Sequence, residues 1–142
     1  MPRLAFAALA LLALAPAAAR AQGPASTLMI GDTFHGTNAE AANFYSRAVK
    51  EKNRAAVETT VERQNHFLNL AKTHFKKSIG YEPTFDAFMA LGQVNLALGL
   101  PEEARDACFR ALEKQPGHRL ARNCLDQALE LLKIPANQRS GE

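Results

Sequence analysis

Cysteine, histidine and arginine are the residues of this chain whose types and spacing could do chemistry. Cys108 and Cys124 make an even pair, able to bridge in an oxidising compartment or to stay as buried thiols in a reducing one. His66 and His74 lie eight residues apart, with Glu62 four before the first. On one helix they would share a face with their rings about 12 Å apart, too far for a single metal ion without a third element. Surface imidazoles are the plainer reading, and no metal site is expected. His118, Arg119 and Arg122 fall together before and within one expected helical turn. Arg119 and Arg122 could meet an acidic contact on a partner, or simply be solvated side chains at a helix end that is already positive. The sequence has no CxxC, CxxCH, HExxH or GxSxG and no glycine-rich phosphate loop, and its four serines have no recognisable base beside them. It therefore offers no catalytic residue, no cofactor motif and no reason to expect an enzyme.

The compartment decides the cysteine question, and the first residues speak to it. Met1-Pro2-Arg3 gives a positive start, residues 4–15 carry no charge, and Ala19-Arg20-Ala21 supplies a small-x-small cleavage site. Residues 1–21 read as a secretory signal, and the mature chain is expected in the periplasm or outside the cell. The full sequence has 17 Lys and Arg against 14 Asp and Glu, a net charge of +3. Removing Arg3 and Arg20 leaves 15 against 14, so the basic excess is mainly a property of the leader. A nearly neutral chain without a Lys or Arg tract has little footprint for nucleic acid. No later run is apolar enough to span a membrane.

Helices must position whatever the mature chain uses. Residues 22–36 hold three glycines and a proline without a helical period, and read as a loosely held arm. Docking is the alternative, because Leu28, Met29, Ile30 and Phe34 prefer shelter from water. Thr37-Asn38-Ala39-Glu40 has the form of a capping box, with the Thr37 hydroxyl on the amide of Glu40. An apolar stripe follows at Ala41, Phe44, Tyr45, Ala48 and Val49. It resumes at Val57, Val61, Leu68, Ala71, Phe75 and Ile79. The latter suits one long helix over 53–79 or two broken near Asn65-His66. Thr84 is placed to cap a helix to about Leu98, with Gly99 closing it in a left-handed conformation. Pro101 opens another, to about Lys114, and Pro116-Gly117 stops it. A last helix spans about 119–133, and residues 135–142 read as a frayed tail. Nothing alternates with period two, so the fold class is all-α.

Residues 85–118 resemble a tetratricopeptide repeat, the 34-residue helix-turn-helix unit. Phe88, Leu91-Gly92, Gly99, Ala104, Ala111 and Pro116 stand at that family's spacing. Asn95 departs from it, where an aromatic is usual, and so does Cys108. Ala71, Phe75, Ser78 and Pro83 match the second helix and terminator of a degenerate preceding repeat, and Asp126 replaces a glycine in the closing helix. The resemblance implies antiparallel helix pairs stacked over 37–134 as a short α-solenoid, with 119–133 as a C-terminal capping helix. Since fewer than about three units are rarely stable alone, the N-terminal helix must supply a further wall, or the chain must pair with itself or a partner.

It also implies a concave groove for a protein segment, lined by Asp86, Met89, Gln93, Leu96 and Ala97, and continued by Asn123, Gln127 and Glu130. Met89 and Leu96 have core packing as their alternative role. Within the repeat, Cys108 falls on the inner face of the second helix and Cys124 on the helix packed against it, so a disulfide stapling the cap is expected. The function expected is a protein-binding module or assembly helper of the cell envelope. A structural subunit or homo-oligomer, or less readily a small-ligand or metal carrier, is the alternative.

Overall fold

The computed structural model describes residues 33–133. The expected signal at 1–21, most of the expected arm at 22–36 and the expected tail at 135–142 lie outside them. The described residues form five helices and no strand: α1 Ala39–Val57, α2 Val61–Tyr81, α3 Phe85–Ala97, α4 Pro101–Lys114 and α5 Arg119–Lys133. Short connections make neighbours in sequence neighbours in space. Helix packs on helix in chain order from α1 to α5, and α3 also touches α5. The first pair runs antiparallel: Ser78 Oγ donates to the Ala41 carbonyl at 2.9 Å near one end, and Arg54 lies over the Phe67 ring near the other.

Start and stop signals work as expected from α3 onward. The Thr84 hydroxyl accepts from the amide of Ala87 at 3.3 Å, and Pro101 opens α4. Gly99 adopts a φ of 70°, while the Leu100 amide returns to the Asn95 carbonyl at 2.9 Å. That left-handed residue disfavours any side chain bearing a Cβ.

Two expectations for the first hairpin are corrected. Thr37 does not cap α1; Asn38 does, its Oδ1 accepting from the amides of Glu40 and Ala41 at 2.9 and 3.0 Å. The long stripe is two helices, but the break falls at residues 58–60, with Asn65 and His66 inside α2. Thr60 caps α2 through its hydroxyl, and Gln64 Nε2 donates to the freed carbonyl of Glu58 at 2.7 Å. Val57 and Val61 consequently stand at the turn, 79% and 68% exposed, and add nothing to the core.

The core has two parts meeting at α3. Tyr45, Leu68, Phe75, Leu91 and Val94 anchor the first, across α1, α2 and α3. Met89, Cys108, Ala111, Ala121 and Cys124 form the second, across α3, α4 and α5. Every residue from 89 to 95 is buried, as befits a helix with neighbours all round. Alanines at 71, 87, 90, 104, 111, 121 and 128 are wholly covered, letting backbones approach closely. Outside the core, Glu103 of α4 meets Lys72 and Lys76 of α2 at 3.0 and 3.4 Å. Hydrogen bonding and charge from Lys72, then Lys76, hold that carboxyl below its ordinary range. Such an exposed cluster stabilises by no more than about 1 kcal/mol.

Candidate functional site

The groove positions named from the sequence separate into three groups. Asp86, at the start of α3, is engaged by the chain's own arm: its Oδ2 accepts from the His35 amide and lies 2.9 Å from the His35 ring nitrogen. Met89 and Gln93 are buried at 2% and 5% exposure. Met89 packs against the cysteines and Ala111 in the second core, so the expectation that it faces a partner is corrected. Cys108 and Ala111 of α4 together with Ala121 and Cys124 of α5 enclose that side chain. Leu96 is half-buried, while Ala97, Asn123, Gln127 and Glu130 are exposed. Among these, Leu96, Gln127 and Glu130 come together with Asp126 and Leu131 around an open depression of about 500 Å³ between α3 and α5. Ala97 and Asn123 lie outside that lining. The depression has a leucine floor and a polar rim, a shape that suits an apolar side chain carried on a polar backbone.

Arg119 and Arg122 are exposed in the first turn of α5 and make no ion pair among the described residues. His118, beside them, packs its ring on Phe85 at 4.5 Å. Cys108 and Cys124 meet with their sulfurs at bonding distance and Cα atoms 5.8 Å apart, joining α4 to α5 across 16 residues. Gly92 of α3 backs onto this bridge: a Cβ there would stand 2.5 Å from Cys108 Sγ and 3.0 Å from Cys124 Sγ. His66 and His74 do not converge. His74 stacks beside Phe44 at 6.1 Å, and His66 meets the edge of Phe67. No cluster of three His, Cys, Asp or Glu side chains is arranged around a metal position among the described residues.

Two features escaped sequence reasoning. Phe44 lies between Tyr81 and His74 on the outer side of the α1–α2 hairpin, with Arg47 and Lys77 over its ring at 5.7 and 5.4 Å. The second is a clasp at the end of the arm. Glu82 accepts from the amides of Thr37 and Asn38 at 2.9 and 2.8 Å and from the Thr37 hydroxyl at 3.3 Å. Gly36 is needed beside it, since a Cβ there would collide with the Glu82 carboxylate and the Phe34 ring. Phe34 in turn rests on Tyr45 at 5.3 Å. Residues 34–36 are therefore docked, which corrects the loose-arm reading for this part of 22–36. No local pattern announces the clasp, because its partners lie 44 and 45 residues apart.

Hydrogen bonds from the Asn38 and Thr37 amides hold the Glu82 carboxyl below its ordinary value of 4.5. A carboxylate with a lowered folded-state pKa stabilises fully above its unfolded value, and that contribution fades as pH falls through the folded value. The Thr37 and Asn38 amides should thus be protected at pH 7, and that protection, taken relative to the intrinsic rate at each pH, should be lost once the pH drops below the ordinary carboxylate range. Glu82→Gln should weaken that protection at pH 7 and remove its acid dependence. Amide exchange across this range checks both; unchanged exchange in the variant would rule the clasp out.

No family model, curated protein or solved structure matches this chain.

Proposed function

We propose that this is a non-catalytic, exported protein-binding module of tetratricopeptide type, acting as an interaction or assembly partner in the cell envelope. The carrying observation is the depression between α3 and α5, where Leu96, Gln127 and Glu130 meet as that family's groove positions would. Helix spacing supports the same reading: Phe85 and Arg119 open α3 and α5 one 34-residue period apart. So does the packing, with Gly92, Ala104 and Ala111 at close helix contacts. The first hairpin is longer than that period, which makes it an elongated wall beside the repeat. Export rests on the signal-like residues 1–21 and on a cysteine pair at bonding distance, the pairing expected of an oxidising compartment. No described helix is long and apolar enough to cross a membrane.

A photo-crosslinking residue placed at Gln127 in living cells should give a discrete adduct, while one at Asn43 on α1 should not. Ala97→Arg, an exposed change beside the groove, should diminish that adduct without altering the melting temperature. Identical adduct patterns from both positions, or none at Gln127, would refute the groove. A structural-subunit role has one observation in its favour, the exposed Phe109 of α4 and Leu129 of α5 at 53% and 41%. Sedimentation that depends on protein concentration would favour it.

A further inference from the structure

Asn95 and Gln93 are the two polar side chains in the buried run of α3. Asn95 is 1% exposed, and its Oδ1 has no hydrogen-bond partner. A buried acceptor left unpaired is unfavourable, so either the site gains a donor or the fold bears the penalty. The repeat that this chain resembles usually has an aromatic at this position, which would fill the space between helices. Asn95, Phe88, Leu91 and Ala107 line a cleft of about 240 Å³ beside α2, α3 and α4.

Charges at its mouth have partners already. Lys76 and Glu103 pair with each other, Asp106 with Arg105, and Arg110 with Glu113. An ionic ligand would have to break one of these pairs, whereas a neutral one would not. A dry cavity of about 150 Å³ takes up benzene, and drug-sized ligands need about 300 Å³ or more. One ring with a substituent is therefore the right size. The ring suits Phe88, Leu91 and Ala107, and a hydroxyl, which both donates and accepts, suits the Asn95 amide in either of the two orientations that exchange Oδ1 and Nδ2.

We propose that this cleft binds a small, neutral, single-ring aromatic compound carrying one hydrogen-bond donor, of the phenol class. The site is separate from the α3–α5 groove and holds whether or not that groove binds a protein. Phenol and benzene titrated separately into the isotope-labelled full chain test it. Phenol should shift the Asn95 side-chain amide and the Ala107 backbone amide saturably, leaving Gln127 unmoved, and should bind more tightly than benzene. Asn95→Leu should weaken phenol about tenfold, the loss of one buried hydrogen bond, while sparing benzene. Ala107→Leu, which fills the cleft from α4, should abolish both and keeps the test decisive if the Asn95 variant fails to fold. Non-saturating shifts, or phenol affinity unchanged by either substitution, would overturn the proposal.

Discussion

Gly92→Ala is expected to destabilise the oxidised protein by about 2 kcal/mol, and Gly92→Val by about 3 kcal/mol or more. Taken as helix propensity alone, alanine should help by about 1 kcal/mol. Packing opposes it. The added Cβ would stand 2.5 Å from one bridge sulfur, 3.0 Å from the other and 3.4 Å from the Cys108 amide nitrogen. Neither sulfur is the free end of a flexible side chain; each is tied to a helix at one side and to its partner at the other. Relief therefore requires α3 to move away from both α4 and α5. The control is a double-mutant cycle. In a Cys108→Ala, Cys124→Ala background the obstructing sulfurs are gone, and Gly92→Ala should cost almost nothing. Urea unfolding of the four proteins measures the coupling, expected at about 2 kcal/mol. Equal costs in both backgrounds would mean that the bridge does not set the α3 approach.

Gly92 also shows what could be read in advance. Its place in the Leu91-Gly92 pair, the Thr84 cap, Gly99, Pro101 and Pro116-Gly117 are short-range signals, and the boundaries of α3, α4 and α5 follow them closely. The first hairpin lacked such punctuation. Val57 and Val61 stand one helical turn apart and mimic a continuous stripe, although the Thr60 hydroxyl ends that continuity by capping a new helix. The surroundings of the residues expected to line a groove are only half readable. The tetratricopeptide resemblance implies a direction for Met89, but the depth to which α5 covers it depends on the small Ala121 and Cys124 opposite. Asp86 looked free for a partner because His35, its actual neighbour, lies 51 residues earlier. Contacts of that range leave no periodic trace.

Removing the bridge is the second large effect. A loop of this size loses about 3 kcal/mol of denatured-state restriction when it is opened, and Cys108→Ala with Cys124→Ala should cost at least that much. The loss should fall unevenly. Ala121, Cys124 and Ala128 are the buried residues of α5, with Leu120 and Leu125 half-buried against the second core, so without the sulfurs that helix keeps only small methyls and two partly covered leucines as anchors. By contrast Tyr45, Phe75 and Val94 hold the other core independently of the sulfurs. Hydrogen exchange should therefore accelerate across α5 first while α1 to α3 keep their protection. Reduction should follow the same order, because Cys108 and Cys124 are 0% and 4% exposed and a reductant reaches them only when α5 lifts. Exchange in α5 that is identical in the oxidised and bridge-free proteins would refute this. Since α5 supplies Asp126, Gln127, Glu130 and Leu131 to the depression, that lining should loosen wherever the bridge is absent. Under the proposed binding role, partner capture should weaken in the reduced chain and recover on oxidation, tying it to the compartment through a single covalent bond.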